Sequence, residues 1–177
     1  MKAQTVKTGK VYILSGSPQC TLINGKEKNM DAMIYQGGFD MLFIQFYNQG
    51  LVSCTARSRA RKNGGDFNYS KWITYVNRAG SASANARLYI GLLGGPTAGA
   101  KDDYLKVAEV KNLISTYGKA NQLGGVMLWE AQATQLNNDA GIPVNQRYWH
   151  VVKVAMMVSP PSLPSLYTPY VILRSRC

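Results

Sequence analysis

The segment FDMLFIQFYNQG, residues 39–50, decides the fold class. Its apolar middle, MLFI, is typical of a strand that is buried on both faces. Polar and aromatic side chains follow at once, namely Gln45, Tyr47 and Asn48. In parallel α/β folds, functional groups collect at the carboxyl ends of the strands. These three residues are therefore the first candidates for a functional site.

Three other apolar runs, VYILSG, RLYIGLLGG and GGVMLWE, repeat this arrangement along the chain. Between them lie segments whose apolar residues have helical spacing or which end in glycine, as helices often do. The predicted strands are 11–15, 39–46, 87–92 and 125–129, and the predicted helices are 24–36, 69–78, 102–117 and 148–157.

The alternation of strand and helix predicts an α/β fold with parallel strands and right-handed crossovers. A complete TIM (β/α)8 barrel takes about 250 residues and eight such units. Four units in 177 residues therefore predict a partial barrel. Because both edge strands would lack a partner, we expect the chain to aggregate, to pair with itself or another chain, or to be part of a longer protein.

The composition fits one globular domain. The 177 residues are 46% hydrophobic, which excludes a disordered chain and is enough for a sizeable core. The start of the chain, MKAQTVKTGKVY, contains no long apolar stretch. We therefore expect neither a secretory signal nor a membrane span in this segment, and no membrane partner.

The formal charge of +11 raises the possibility of polyanion binding. The basic residues are densest at Arg57, Arg59, Arg61 and Lys62, in a loop between predicted elements. No nucleic-acid-binding motif accompanies them, and no aromatic residue lies among them. We favour a solvated basic loop over a specific nucleic-acid site and keep a polyanion binder as an alternative.

Three cysteines are present, and no two of them have C-x-x-C spacing. His150 is the only histidine, so we expect neither a metal site nor a cofactor. Cys20 follows the first predicted strand and Cys54 follows the second, which places both on one rim. A disulfide between them is geometrically plausible and would imply an oxidising compartment, while two reduced thiols are the alternative. Cys177 is expected to be unpaired.

Four motifs together resemble a known family. LSGSPQC, FDMLFIQFYN, YIGLLGG and GGVMLWEA, in this order and spacing, are similar to strands 5–8 of a glycoside hydrolase family 18 chitinase of the fungal and plant, hevamine-like branch. The resemblance covers roughly residues 8–157. It implies the C-terminal half of a chitinase-like catalytic domain at 1–157, followed by a tail rich in proline and serine at 158–177.

The resemblance implies hydrolysis of β-1,4-linked N-acetylglucosamine polymers with retention of configuration, and hence chitin or chitooligosaccharides as partners. In that family the glutamate of a D-x-x-D-x-D-x-E motif protonates the glycosidic oxygen, and the substrate's own acetamido oxygen attacks the anomeric carbon. No such motif occurs in this sequence. We therefore expect the chain to be inactive alone and to lack an N-terminal half-barrel. The resemblance also implies secretion.

The resemblance further implies roles for five residues. Tyr47 would hydrogen-bond the acetamido group and stabilise the oxazolinium-like intermediate, and Trp129 would form the floor beneath the sugar. Gln45 has the same strand parity as Tyr47 and should point into the same lumen. Asn48 and Gln19 are candidates at the rim. Without the resemblance, a tyrosine or tryptophan at a strand end is more often a packing residue.

Other candidates are weaker. Glu130 follows Trp129, and consecutive strand residues face opposite sides, so its carboxylate should face away from the sugar. Asp40 lies at the start of its strand, and His150 lies on the last helix. The GGPTAGA loop, residues 94–100, matches no complete phosphate-binding motif and is a minor alternative. A non-catalytic carbohydrate-binding or inhibitor-like protein is the second hypothesis for the whole chain.

Overall fold

Parallel strand pairing organises the protein. The computed structural model describes residues 9, 11–49, 54–61, 67–143, 145–158 and 170–174, with the backbone alone for Arg61 and 170–174. The central sheet is parallel and has five strands, in the spatial order β1 (Ser15–Gly16), β4 (Met41–Gln45), β5 (Arg87–Leu93), β6 (Leu123–Trp129) and β7 (Tyr170–Arg174). A separate antiparallel hairpin joins β2 (Leu22–Ile23) and β3 (Lys26–Glu27).

Helices alternate with the strands of this sheet. In the described residues they are α1 (Asp31–Gly37), α2 (Ala56–Arg61), α3 (Tyr69–Val76), α4 (Val107–Tyr117), α5 (Ala131–Leu136) and α6 (Tyr148–Val158), with a 3₁₀ turn at Lys101–Asp103. None of these helices has the length and apolarity that a membrane crossing requires. The alternation and the parallel pairing confirm the predicted partial (β/α)8 barrel.

The alternation of side chains gives the sheet two distinct faces. The ring of Phe46 packs on Phe67, just before α3, with centroids 4.7 Å apart, so even-numbered residues of β4 such as Leu42 face the helices. Phe43 faces the opposite side, where its ring centroid lies 4.8 Å from that of Tyr89 in β5. We call the side with Phe43 and Tyr89 the inner face.

The segment 24–36 does not form the single helix that the sequence predicts. Asn24 and Gly25 have φ angles of 50° and 76° and close the β2–β3 hairpin, a two-residue turn for which Asn-Gly is a favoured pair. The buried carboxylate of Glu27 then accepts hydrogen bonds from the backbone N–H groups two and three residues later. The helix therefore begins only at Asp31.

The two outer strands also differ from the prediction. Within the predicted strand 11–15, only Ser15 enters the sheet, and it does so together with Gly16. Strand β7 lies inside 158–177, the segment that the sequence describes only as a tail rich in proline and serine, and pairs in parallel with β6. The ends of the three inner strands and of α3 and α6 lie within two residues of the predicted ends.

Asp40 fastens β1 to the sheet. Its carboxylate accepts a hydrogen bond from the backbone N–H of Leu14 at 2.8 Å, and its own N–H donates to the Leu14 carbonyl oxygen at 2.8 Å. Because Asp40 directly precedes β4, these bonds lie at the amino end of the strands. Asp40 is therefore a structural residue, far from the carboxyl ends where Gln45 lies.

A disulfide clamps the rim at the carboxyl ends of β1 and β4. It joins Cys20 and Cys54, whose Cα atoms are 5.9 Å apart. The Cys20 carbonyl oxygen also accepts hydrogen bonds from Asn68 Nδ2 at 2.8 Å and from Trp72 Nε1 at 3.1 Å. The disulfide thus connects the loop after β1 with the start of α2, and the two hydrogen bonds connect it with α3. Cys177 lies outside the described residues.

Removing the disulfide should destabilise the protein. In a Cys177→Ser background, which removes the third thiol, replacing Cys54 by Ser should lower the free energy of unfolding by about 2–5 kcal/mol, because the unfolded chain regains loop entropy across a sequence separation of 34 residues. Urea unfolding monitored by tryptophan fluorescence measures the change. If neither this substitution nor the addition of dithiothreitol changed the urea midpoint of unfolding, a bond between the two cysteines would be contradicted.

Alkaline pH should destabilise the fold through buried tyrosines. Burial, assisted by Asp31, raises the pKa of Tyr75 to about 12, and burial raises the pKa of Tyr69, Tyr104 and Tyr148 well above the ordinary value. The folded protein keeps phenol protons that the unfolded chain loses near pH 10.0. The contribution of these tyrosines to the free energy of unfolding is therefore fully present below pH 10.0 and decreases as the pH rises towards 12.

Urea midpoints measured between about pH 9 and pH 12 check this prediction. In Tyr148→Phe the fall in unfolding free energy should be shallower by about 1.4 kcal/mol per pH unit, because one titrating group is gone. A variant with the same pH slope as the unmodified chain would contradict the role of Tyr148.

Candidate functional site

The strand register brings two of the predicted site residues to one face and one end of the sheet. Gln45, the last residue of β4, lies opposite Gly91 of β5, which lies opposite Met127 of β6. Two residues further along, Leu93 lies opposite Trp129, the last residue of β6. Gln45 and Trp129 therefore share the inner face. They are separated by about 10 Å across the sheet and by about 7 Å along the strands, which is roughly 12 Å in all.

The strand between them must carry a glycine. A Cβ on Gly91 would lie 2.5 Å from the Ile44 carbonyl oxygen and 2.9 Å from Met127 Cε. The first of these contacts is with backbone that cannot move aside, so any side chain here would force the strands apart. Met127 lies against Gly91 and is fully buried. The surface between Gln45 and Trp129 is therefore apolar.

Gln45 is half-buried and has a fixed orientation. Its Nε2 donates a hydrogen bond to the Ser17 carbonyl oxygen at 2.8 Å. A carbonyl oxygen only accepts, so the NH₂ group must face Ser17. Oε1 is then the atom of Gln45 that can accept a hydrogen bond from a bound molecule.

Tyr47 lies two residues beyond Gln45, in the bend that follows β4, and is more deeply placed. The ring of Phe46, between them, packs on Phe67 on the helix side of the sheet. Tyr47 is only 3% exposed, whereas Gln45 and Trp129 are partly exposed. Tyr47 is therefore buried next to the partly exposed residues Gln45 and Trp129.

Both rim candidates are hydrogen-bonded to neighbouring loops. Asn48 donates its backbone N–H to Asp103 Oδ2 at 2.7 Å, and its Oδ1 accepts from the N–H of Ala100 at 2.8 Å. Gln19 pairs with Gln45 in an isolated parallel bridge, and its Oε1 accepts from Asn29 Nδ2 at 3.4 Å. These two side chains therefore shape the rim on either side of β4.

Fungal chitinases match this chain in sequence. It is 37% identical to endochitinase A1 of Aspergillus fumigatus over 134 residues, which is 75% of this chain and 15% of the relative. It is 34% identical to endochitinase 2 of Coccidioides posadasii over 158 residues, which is 87% of this chain and 17% of the relative. The chain belongs to the chitinase-like glycoside hydrolases.

A solved structure agrees with this chitinase-like fold. The xylanase and α-amylase inhibitor protein from Scadoxus multiflorus superposes with a TM-score of 0.53 at 23% identity, over 72% of this chain and 41% of that protein. Likeness at this identity concerns the fold alone. No protein-family model matches the chain. The chain spans less than a fifth of the length of the two fungal relatives.

A chitinase-like site needs a proton donor, and the carboxylates that the structure describes are engaged elsewhere. Glu130 is 7% exposed and caps α5, because its Oε1 accepts from the N–H of Ala133 at 3.0 Å. The other described carboxylates also have partners within the chain: Glu27 with Met30, Asp31 with Arg78, Asp40 with Leu14, Asp102 and Asp103 with Arg57, Glu109 with Lys106, and Asp139 with Tyr104. Asp66 lies outside the described residues.

Close packing explains the small residues of the GGPTAGA loop. A Cβ on Gly95 would lie 2.9 Å from the Ala133 carbonyl oxygen in α5. Asn137 Nδ2 donates hydrogen bonds to the Gly94 carbonyl oxygen and to Tyr104 Oη, each at 2.9 Å. The loop is thus fixed by its contacts with Ala133 and Asn137. Within the described ranges, no three His, Cys, Asp or Glu residues are grouped so that they could hold a metal ion.

The sequence pattern does not predict a role for Asp103 at the rim. It predicts that Asp102 and Asp103 begin a helix, whereas they end a 3₁₀ turn and α4 begins at Val107. Asp103 Oδ1 lies 3.5 Å from Arg57 Nε. The available signal was charge complementarity, since a single acidic pair follows one strand and a cluster of arginines follows its neighbour.

Asn48 should be harder to replace than Asn24, although both have a positive φ, 58° and 50°. Asn48→Ala should lose about 1–2 kcal/mol for the left-handed backbone and about 1 kcal/mol for the bond from Ala100. Asn24→Ala, at an exposed position, should lower the free energy of unfolding only by the cost of the left-handed backbone. Asn48→Gly should lower it mainly by the loss of the hydrogen bond from Ala100. Urea unfolding compares the three variants. Equal losses in both alanine variants would contradict this role of Asn48.

Proposed function

We propose that this chain forms the sugar-binding wall of a chitinase-type site. Tyr47, Gln45 and Trp129 face an N-acetylglucosamine unit, with Asn48 and Gln19 at the rim. The parent reaction is the retaining, substrate-assisted hydrolysis of β-1,4-linked N-acetylglucosamine polymers, as in glycoside hydrolase family 18. The observation that carries the proposal is the register that aligns Gln45 and Trp129 on the inner face at the carboxyl ends of their strands.

Trp129 supplies the apolar platform of this wall. It is half-buried, ends β6 and lies beside Leu93. The face of an indole ring packs well against the C–H groups of a pyranose, because both surfaces are apolar while the sugar hydroxyls point outward. Met127, on the same strand, is fully buried, so Trp129 is the residue of β6 that can offer an apolar face to a ligand. A sugar ring that lies on Trp129 with its N-acetyl group towards β4 would bring that group to Gln45.

Gln45 and Tyr47 supply the polar contacts. Gln45 Oε1, turned away from Ser17, can accept a hydrogen bond from an acetamido N–H. A tyrosine hydroxyl can donate to the acetamido oxygen, which in substrate-assisted hydrolysis attacks the anomeric carbon. An acceptor at the end of β4 and a donor two residues later would serve the two ends of an acetamide. The N-acetyl group is thus the part of the substrate that this wall recognises.

The proton donor of the reaction lies outside this chain in our proposal. The sequence contains nine Asp and Glu residues and no D-x-x-D-x-D-x-E motif. Glu130, the carboxylate nearest Trp129 in sequence, is committed to the cap of α5. Without an acid to protonate the leaving oxygen, the chain should bind chitooligosaccharides and not cleave them.

We also propose that further βα units cover the flanks of this half-barrel, either from the same protein or from a second copy. Val11 and Ile13, next to β1, are 85% and 59% exposed. Met157 and Val158, on α6, are 57% and 79% exposed. Apolar side chains at both flanks are typical of surfaces that normally pack against other elements. Secretion agrees with the Cys20–Cys54 disulfide.

Polyanion binding is a weaker candidate. Arg57 is paired with Asp102 and Asp103, and Arg59 Nη2 donates to Thr116 Oγ1 at 3.2 Å. The described arginines of the basic cluster therefore have partners within the chain. Arg61 is described by its backbone alone, and Lys62 lies outside the described residues.

Titration with tetra-N-acetylchitotetraose tests the proposed wall. Trp129→Ala should weaken binding about tenfold or more, because it removes the apolar area that the ring buries against the sugar and a further contribution of about 0.5–1.5 kcal/mol from the aromatic face. Isothermal titration calorimetry measures the affinity. Trp149→Phe is the control, since this tryptophan lies on α6 and not on a strand of the sheet, and its replacement should leave the affinity unchanged.

Two further measurements bound this result. Cellotetraose, which has no acetamido group, should bind much more weakly than the chitin fragment, and equal binding would exclude recognition of the N-acetyl group. A reducing-sugar assay should detect no cleavage of chitotetraose by the purified chain. Turnover would contradict the absence of a proton donor, and unchanged binding by Trp129→Ala would contradict the wall itself.

A further inference from the structure

Asn48 is the residue at which the chain leaves β4 and turns onto the rim. Its φ of 58° is left-handed, a conformation that asparagine tolerates better than most residues. Its Oδ1 accepts a hydrogen bond from the backbone N–H of Ala100 at 2.8 Å. A Cβ on Gly99 would lie 2.5 Å from that oxygen. The loop after β5 is therefore packed directly on Asn48.

Asp103 holds the backbone of Asn48. Its Oδ2 accepts the Asn48 N–H at 2.7 Å, which is a charge-assisted hydrogen bond. The Asp103 side chain is only 3% exposed, and Arg57 Nε lies 3.5 Å from its Oδ1. A buried carboxylate is costly unless it is paired and hydrogen-bonded. Arg57 and the Asn48 N–H together provide both conditions.

These contacts act on the peptide unit next to Tyr47. The Asn48 N–H and the Tyr47 carbonyl belong to one rigid plane. Asp103 binds the N–H of this plane, and Gln49 Nε2 donates to its carbonyl oxygen at 3.1 Å. Fixing the plane fixes the ψ angle of Tyr47 and hence the direction in which its side chain leaves the backbone.

We infer that Asp103 is a positioning residue for Tyr47. Its carboxylate, balanced by Arg57, fixes the Tyr47–Asn48 peptide and thereby the placement of the tyrosine hydroxyl at the sugar-binding wall. Asp103 acts through Tyr47 and does not itself touch the sugar. The consequence for sugar affinity rests on the proposed function, whereas the geometric effect on Tyr47 does not. Arg57 thereby has a structural role within the chain, which is to balance the charge of Asp103.

Fluorine NMR on protein containing 3-fluorotyrosine tests the geometric effect without any sugar. The Tyr47 signal is assigned by its loss in Tyr47→Phe. It should shift or broaden in Asp103→Asn, which keeps the side-chain size and removes the charge. It should stay in place in Asp102→Asn, the control that loses the same charge, because Asp102 is 83% exposed and Arg57, 3.8 Å from it, keeps its closer and buried partner Asp103. An unmoved signal in Asp103→Asn, or equal shifts in both variants, overturns the inference.

A double-mutant cycle on chitotetraose binding tests the consequence. Asp103→Asn should lower the affinity about tenfold when Tyr47 is present, and less than about twofold in a Tyr47→Phe background, because coupled residues are not additive. Equal losses in the two backgrounds would mean that Asp103 supports the fold generally, and would overturn the inference. If the unmodified chain binds no sugar, the proposed function fails, and the fluorine signal alone decides on positioning.

A second pair of variants serves if Asp103→Asn does not fold. Arg57→Lys keeps the positive charge and removes the Nε–H that faces Asp103. The Tyr47 signal should move in Arg57→Lys and not in Arg59→Lys, since Arg59 lies on the same helix and contacts Thr116 instead. An unmoved signal in Arg57→Lys also overturns the inference.

Discussion

Residues 41–45 of β4 pair in parallel with residues 87–91 of β5, and this ladder determines which side chains can meet at the rim. A slip of one residue would turn Gln45 towards the helices and bring an even-numbered apolar residue to the inner face. Gly91 protects the register, because a side chain at that position would collide with the Ile44 carbonyl oxygen. The position of Trp129 relative to Gln45 follows from the same ladder, continued through β6.

The rim depends on contacts between segments that are far apart in sequence. The disulfide joins the loops after β1 and β4, and Asn48 joins the loops after β4 and β5 through Ala100 and Asp103. These contacts replace the regular ladder at the point where the strands end. The loops are therefore fixed at the end of the sheet where Gln45 and Trp129 lie, while Asp40 fixes β1 at the opposite end.

The proposed division of the site has a chemical basis. In substrate-assisted hydrolysis the nucleophile belongs to the sugar, so the protein must supply a proton donor and a surface that holds the acetamido group. These two tasks require different side chains and can lie on different parts of a barrel. The described carboxylates of this chitinase-like chain make caps, ion pairs and hydrogen bonds within the chain, whereas Gln45 and Trp129 occupy one face.

The sequence by itself determined the parallel α/β architecture, since apolar runs such as MLFI and helical spacing between them depend only on local periodicity. It also identified the residues at the strand ends and the chitinase family, because these lie within contiguous motifs. The Asn-Gly pair at residues 24–25 was a local signal for the hairpin, which the helical prediction for this segment overlooked. The sequence did not reveal the pairing of β7 or the contact of Asp103 with Asn48. These two features were decided by tertiary structure, because an added strand or a buried ion pair is stable only when distant segments supply its hydrogen bonds and exclude water.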